Sequence, residues 1–298
     1  MIGYSLELEG HRWHCIASGE KEPLLNALSG IMQLKPQSRN DNPKLLLVSD
    51  SSELKTCLEQ IIDAYENIKS ISAEKWKSVR FNVTEVMYHD EIPDVICKSR
   101  AHPDHAIQII IMYLSLFIIY SRIIKSGGLL FHAGLLELDR VGVLLAGPGG
   151  YGKSTCCKRV PSPWRCLCDD EALIIKTRDG YVVHPLPTWS EHFKGPSDKS
   201  WDVGHSVPLS GIFFLEQDKV DEIVPMSPVH IAVRINFSAV EALNKYIMHR
   251  AVGRELKRDI RIRILNNASD ISRQVHCASL KFSRDGAFWR AIEKELDI

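Results

Sequence analysis

The sequence predicts a mixed α/β protein with a small first unit and a larger second domain. Three observations support this. A glycine-rich stretch at residues 147–154 separates an apolar, strand-like run from a helix-forming run. Short apolar runs typical of buried strands alternate with amphipathic stretches along most of the chain. Apolar residues make up 45% of the 298 positions, enough for a sizeable core. We expect an α/β unit over residues 1–98 and a larger α/β domain over residues 99–298.

The glycine-rich stretch matches the phosphate-loop pattern G-x-x-x-x-G-K-[ST] at every fixed position. Its residues are Gly147, Pro148, Gly149, Gly150, Tyr151, Gly152, Lys153 and Ser154. A buried strand is predicted before it and a helix after it, with Thr155 in the first turn. In such a loop, backbone N–H groups surround a phosphate, the lysine reaches the β- and γ-phosphates, and the serine hydroxyl binds Mg²⁺. A chance glycine-rich turn is the alternative, but the order of strand, loop and helix favours a nucleotide-binding loop.

Charge and cysteine usage exclude several classes of protein. The 37 basic and 37 acidic residues give a formal charge of zero, which does not support extensive nucleic-acid binding. The N-terminus lacks the basic-then-apolar plan of a secretory signal. The eight cysteines are scattered without a C-x-x-C pair, so reduced thiols are favoured over disulfides or a four-sulfur metal site. We therefore expect a cytoplasmic protein.

One apolar segment, residues 106–124, resembles a membrane span. It contains Gln108, Ser115 and Arg122. Its most apolar run, residues 109–120, is shorter than the ~18 residues that a span needs. We therefore expect a helix buried inside the protein and no membrane insertion.

The first unit shows alternating strands and helices. Residues 2–9 and 12–17 are predicted to form a hairpin, a helix follows over residues 23–34, and residues 44–48 form a buried strand. The next helix is predicted to start at an Asp50 N-cap. Its apolar face comprises Leu54, Cys57, Leu58, Ile61, Ile62 and Tyr65. No catalytic signature is present, and we expect His11 and His14 to be surface histidines.

The larger domain continues the alternation on both sides of the phosphate loop. A strand is predicted over residues 129–138, and the helix after the loop should be short because Pro161 and Pro163 follow it. Two long helices are predicted over residues 228–249 and 253–273. Residues 194–205 form a polar run, which is either a connector or a loop that faces a substrate.

Two adjacent aspartates follow a strand about fifteen residues beyond the phosphate loop. Asp169 and Asp170 end an apolar run, and two neighbouring side chains there point in different directions. One carboxylate can hold Mg²⁺ beside the phosphates while the other accepts a proton from an attacking hydroxyl. A solvated strand end is the alternative, but consecutive acids there meet no local structural need.

Several motifs together resemble the HPr kinase/phosphorylase family: Leu130 to Ala133, Gly142 to Leu145, the phosphate loop, and Leu167 to Asp170. The resemblance covers residues 128–187. It implies a P-loop kinase core similar to that of phosphoenolpyruvate carboxykinase. By matching motif it also implies a catalytic role for His132, a base role for Asp169, and Mg²⁺ binding by Asp170 and Ser154. The family's Arg-Gly loop is missing after Pro187, and Glu191 is the candidate for its second, metal-binding acid.

Four further stretches, residues 147–157, 168–173, 187–190 and 213–217, resemble the ScmC proteins of SynChlorMet gene cassettes. Those cassettes also encode radical-SAM proteins and a small precursor peptide. The resemblance implies a partner in peptide modification of the ribosomal-peptide type.

Three hypotheses about function follow. The first is an ATP- and Mg²⁺-dependent kinase acting on a Ser or Thr hydroxyl of a small peptide or protein. The second is a small-molecule kinase on the same scaffold, and the third is a nucleotide-gated peptide-binding protein. The paired aspartates favour an enzyme, because binding alone requires no base. Four residues of the segment after β-strand residues 181–184 could grip a peptide through aromatic faces and charge: Trp189, Lys194, Lys199 and Trp201; a loop that only connects two strands is the alternative. A homo-oligomer is compatible with the sequence.

Overall fold

The computed structural model describes residues 3–38, 42–49, 51–65 and 75–298, and over these it confirms a mixed α/β protein with two sheets. The chain forms two compact units. Unit 1 comprises Met1–Ser121, Trp189–Gly204 and Tyr246–Arg254, and unit 2 comprises Arg122–Thr188, His205–Lys245 and Glu255–Ile298. The division differs from the predicted boundary after residue 98, because apolar helices beyond that residue pack within unit 1.

Unit 1 is built on a sheet with seven strands among the described residues. They are β1 (Gly3–Leu8), β2 (His11–Ala17), β3 (Lys35–Gln37), β4 (Lys44–Val48), β5 (Lys77–Arg80), β6 (Glu85–Tyr88) and β7 (Val95–Lys98). Their order is β3-β1-β2-β4-β7-β6-β5. Strands β2, β4 and β7 are mutually parallel, and the other neighbours are antiparallel. The predicted hairpin between β1 and β2 is confirmed, with Gly10 at positive φ in its turn.

The helices of unit 1 include α1 (Glu22–Ile31), α2 (Ser51–Ala64) and α3 (His105–Ser115). The apolar face predicted for α2 packs on the sheet through a cluster that includes Leu46, Ile61 and Ile96, while Asp50 lies outside the described residues. The prediction that His14 is a surface residue is wrong, since it is 3% exposed. Strand alternation places it on the same sheet face as Ile16, beside α2.

The apolar segment forms two helices rather than one, α3 and α4 (Phe117–Lys125), with a break at Leu116. By length and composition His105–Lys125 is the one stretch of the described chain that could cross a membrane, and 67% of its most apolar window is buried in the protein. Part of the reason is an aromatic cluster. The rings of Tyr113, Phe117 and Tyr120 surround the ring of Tyr246 at centroid distances of 5.6, 5.6 and 6.1 Å. The segment serves as core, as predicted.

Unit 2 holds eight strands in the described chain. They are β8 (Leu129–Leu138), β9 (Val141–Ala146), β10 (Arg165–Cys168), β11 (Glu171–Lys176), β12 (Tyr181–Pro185), β13 (Val207–Gln217), β14 (Glu222–Pro225) and β15 (His276–Phe282). The helices of this part of the chain are α5 (Lys153–Arg159), α6 (Pro228–Ile247), α7 (Arg254–Gln274) and α8 (Phe288–Leu296). Strand β8 pairs with β9, β10 and β11, and β13 pairs with β9, β12 and β15. Strand β11 also pairs with β12, so the pairings β8-β11-β12-β13-β9-β8 form a closed ring of strands.

Three parallel strands position the phosphate loop. Strands β9, β13 and β15 are parallel neighbours, so their carboxyl ends lie at one edge of the sheet, where ligands of α/β proteins commonly bind. The glycine-rich loop follows β9 at this edge. Helix α5 begins with Lys153 and ends at Arg159, before Pro161, as predicted. It packs closely on β8, because a Cβ placed on Gly134 would lie 2.5 Å from the sulfur of Cys157.

All eight cysteines are free thiols in this structure. Burial raises the pKa of the Cys15 thiol to about 12 and that of Cys97 to about 11. Such thiols stay protonated near neutral pH and are poor nucleophiles. Cys15 and Cys97 are therefore core residues.

Candidate nucleotide-binding site

The phosphate loop adopts a backbone that only glycine accommodates easily at two positions. Gly150 and Gly152 have φ values of 81° and 100°, in the region that costs other residues energy. No atom lies within 4 Å of a Cβ built on Gly150, so that side of the loop is open. The predicted order of strand, loop and helix is confirmed by β9, the loop and α5.

Lys153 is folded back onto its own loop. Its Nζ donates to the carbonyl oxygen of Gly147 at 2.6 Å and lies 3.3 Å from that of Pro148. Burial lowers the pKa of Lys153, whereas the carboxylates of Glu241 and then Asp170 act in the opposite direction. The ammonium group is thus surrounded by loop carbonyls and acids, and a phosphate entering the loop would supply a stronger partner.

The two adjacent aspartates have different partners. The hydroxyl of Thr188 donates to Asp169 Oδ1 at 2.9 Å, and Asp170 Oδ1 lies 3.3 Å from His132 Nδ1. Burial by itself would raise the pKa of Asp170, but His132, Lys245 and Lys153 together lower it below its ordinary value. Asp170 is therefore a carboxylate at neutral pH, as a metal ligand must be.

His132 is held beside Asp170 by backbone pairing. His132 on β8 is the cross-strand partner of Glu171 on β11, and the Ala133 N–H donates to the Asp170 carbonyl at 3.0 Å. The other ring nitrogen of His132, Nε2, lies 3.9 Å from Glu241 Oε1. The imidazole therefore has a carboxylate on each side, which is an environment for a functional histidine rather than for a packed apolar core.

Sequence reasoning missed three residues around this site. Thr188 orients Asp169, Glu241 faces His132, and Lys245 donates to Glu171. Glu241 and Lys245 lie on α6, far along the chain from the loop, and their i, i+4 spacing is typical of any exposed helix face. Their role depends on where α6 packs.

The predicted site residues largely meet in one cleft of about 300 Å³. It is lined by His132, Asp169 and Asp170 together with loop and helix residues 149, 150 and 152–155. Glu191 belongs to unit 1, where its carboxylate pairs with Lys199 at 2.6 Å. Its assignment as a metal ligand stays a prediction.

The donor atoms of the cleft suit Mg²⁺ held jointly with a nucleotide. Ser154 offers a hydroxyl and Asp170 a carboxylate, the hard oxygen ligands that Mg²⁺ prefers. In the described part of the chain, no group of three or more His, Cys, Asp and Glu side chains could hold a metal by itself. An Mg²⁺ ion usually takes one or two protein ligands and completes its shell with phosphate and water oxygens.

Two of the four side chains that could grip a peptide are buried. Trp189 and Trp201 are 3% and 7% exposed, and the Trp201 N–H donates to the Ile31 carbonyl at 2.8 Å. The expectation that these two rings grip a peptide is wrong, because they pack inside unit 1. Lys194 and Lys199 remain exposed.

Two larger cavities lie within unit 1. One, of about 530 Å³, is lined by residues that include His14 and Ile61. The other, of about 720 Å³, is lined by residues that include Arg80 and His102. Neither contains a sequence motif with a chemical role, so the candidate site remains the phosphate-loop cleft.

The family model described as SynChlorMet cassette protein ScmC matches residues 95–297. A search of curated proteins found no similar protein.

Proposed function

We propose that this chain, which belongs to the SynChlorMet cassette protein ScmC family, is an ATP- and Mg²⁺-dependent kinase that phosphorylates a Ser or Thr hydroxyl of a small peptide or protein. The observation that carries the proposal is the convergence of the phosphate loop, His132 and the Asp169–Asp170 pair on one cleft. The resemblance to the HPr kinase/phosphorylase family in these segments supports it. The peptide acceptor is proposed from the peptide-modification setting that the cassette resemblance implies.

The chain's residues have separable roles in this proposal. The loop N–H groups and Lys153 bind the β- and γ-phosphates, and Lys153 exchanges its loop carbonyls for phosphate oxygens. Ser154 and Asp170 would hold Mg²⁺, which would supply charge neutralisation at the phosphates. His132 keeps the Asp170 carboxylate in place through Nδ1.

Asp169 is the proposed base. Thr188 holds one of its oxygens, and this fixes the orientation of the carboxyl group. The acceptor oxygen bonds to the γ-phosphorus while the bond to the β,γ-bridging oxygen breaks. The acceptor proton passes to Asp169, and ADP leaves. A positioned base of this kind contributes about 10²–10⁴-fold to the rate.

The test is incubation of the chain with ATP, Mg²⁺ and the small precursor peptide of the same cassette, followed by mass spectrometry. The expected result is one added phosphoryl group on a Ser or Thr, lost with Asp169→Asn. Phosphorylation of a free metabolite but not of the peptide would favour the small-molecule kinase. Tight binding of Mg·ATP and peptide without transfer would favour the nucleotide-gated binding protein.

We also propose a cytoplasmic location, in keeping with the buried apolar helices and the free thiols.

A further inference from the structure

Helix α6 directs two charged side chains at the strand pair that carries His132. Glu241 and Lys245 are four residues apart, so they share a helix face about 6 Å apart along the axis. Glu241 Oε1 lies 3.9 Å from His132 Nε2, and Lys245 Nζ donates to Glu171 Oε1. His132 and Glu171 are direct cross-strand partners, whose Cα atoms are about 4.5–5.5 Å apart in such ladders. The spacing of Glu241 and Lys245 along α6 is therefore close to the spacing of His132 and Glu171 across the two strands, so each α6 residue contacts one member of that pair.

The contact between Glu241 and His132 restrains the imidazole ring. The ring nitrogens Nδ1 and Nε2 point away from each other, so Asp170 and Glu241 hold the ring from two sides. With Glu241 in place, turning the ring would lose two carboxylate contacts, and Nδ1 stays directed at Asp170. Outer contacts of this kind commonly fix the orientation of metal-binding groups.

Glu241 is not a packed core residue. Its side chain is 32% exposed. Its neighbours include His132, whose Nε2 lies 3.9 Å from Oε1, and Lys153, with which its carboxylate interacts electrostatically. These neighbours place Glu241 at the site and not in the hydrophobic core.

The contact between Lys245 and Glu171 separates two neighbouring acids. Glu171 is buried, and its Oε1 accepts from Lys245 Nζ. The cleft is lined by Asp170 and not by Glu171. Lys245 thus keeps the Glu171 carboxylate in contact with α6, and of these two acids Asp170 is the one that lines the cleft.

We propose that α6 braces the metal-binding side of the cleft: Glu241 positions His132, Lys245 positions Glu171, and together they fix the Asp170 carboxylate for the Mg²⁺ of Mg·ATP. The expected effect on Mg·ATP binding rests on the proposed function. The contacts that α6 makes with His132 and Glu171 are present in the protein without nucleotide. Glu241 and Lys245 are positioning residues and do not touch the reacting atoms.

The test compares Glu241→Gln and Lys245→Met with the same changes at exposed positions, Glu255→Gln and Lys219→Met. In the nucleotide-free protein at one fixed pH, Glu241→Gln should shift the side-chain ¹⁵N resonances of His132, and Glu255→Gln should not. In calorimetric titrations, both α6 variants should need about 10–100-fold more Mg²⁺ for half-maximal ATP binding. Lys245→Arg, which keeps the charge, should restore most of that loss.

The brace is refuted if His132 resonances and the Mg²⁺ requirement of Glu241→Gln match those of Glu255→Gln. If Glu241→Gln does not fold, Glu241→Asp, which keeps the charge but shortens the side chain, is measured in the same way. If the parent chain does not bind Mg·ATP, the proposed function fails. The resonance shift, recorded without nucleotide, then still decides on the brace.

Discussion

Asn267 provides a sharp test of how the fold supports the candidate site. This buried side chain of α7 uses its Nδ2 to donate to the carbonyl oxygens of Ile124 at 2.8 Å and Gly128 at 2.9 Å. The Ile124 carbonyl, in the last turn of α4, also accepts from the Gly127 N–H at 3.2 Å. Gly128 immediately precedes β8, the strand that carries His132. One amide group therefore secures the entry into the site strand.

The cost of Asn267→Ala can be worked from these contacts. The Ile124 carbonyl keeps the Gly127 N–H as a donor, so the change leaves the Gly128 carbonyl without one, which costs about 1–3 kcal/mol. Alanine regains up to about 0.7 kcal/mol of helix propensity, and a water entering the vacated space would partly satisfy that carbonyl. We expect the free energy of unfolding to fall by about 1–2 kcal/mol. For an m-value of about 2 kcal/mol/M, the urea midpoint falls by about 0.5–1 M.

The assay is urea unfolding together with hydrogen exchange of the peptide that spans β8. The matched control is Asn266→Ala, an exposed neighbour on the same helix, which should change stability by no more than about 0.5 kcal/mol. Asn267→Asp keeps the side-chain size but loses both donors, so it should destabilise at least as much as the alanine variant. Equal stability of the Asn267→Ala and Asn266→Ala proteins would show that the amide does not secure β8.

Three further predictions concern the cleft. Lys153→Ala removes the loop cation, whose charge-assisted hydrogen bonds are worth about 1.5–3 kcal/mol, so calorimetry should show at least about tenfold weaker Mg·ATP binding with an unchanged circular-dichroism spectrum; equal affinity would contradict the loop assignment. Asp169→Asn should keep the Kd for ATP and slow phosphoryl transfer by about 10²–10⁴-fold, whereas Asp170→Asn should chiefly raise the Mg²⁺ requirement; equal, small effects of both would contradict the division of roles. Gly134→Ala places a methyl group 2.5 Å from the Cys157 sulfur, so it should push α5 off β8 and cost about 1–3 kcal/mol of stability; an unaltered urea midpoint would show that α5 moves freely.

The order of strand, glycine-rich loop and helix could be predicted from the sequence because its determinants are local. The apolar run before it, the glycines at positive φ and the prolines that end α5 all act within about twenty residues. The same holds for Asp169 and Asp170, which follow a short strand and diverge as neighbouring side chains must. In these segments the backbone geometry required by the residue types agrees with the final structure.

Contacts between residues far apart in the sequence determined which polar-segment side chains are buried, and the sequence alone could not show this. His14 has the polarity of a surface residue but is buried, because its strand position places it under α2. Trp189 and Trp201 belong to a polar, loop-like segment, and their packing inside unit 1 removes them from any peptide-gripping role. Side-chain burial in such segments depends on which other element covers them, and local composition carries little of that information.

The residues around the cleft also include some that the sequence alone could not assign to it. Residue types and spacing determined the phosphate loop, the acidic pair and the strand that carries His132. Only the tertiary structure brought Glu241 and Lys245 against His132 and Glu171. The physical reason is that the phosphate loop is specified by backbone conformation over a few residues, whereas a contact from α6 depends on the path of the whole chain between them. An acid and a lysine one turn apart are ordinary in a helix, and packing alone gives this pair its place in the site.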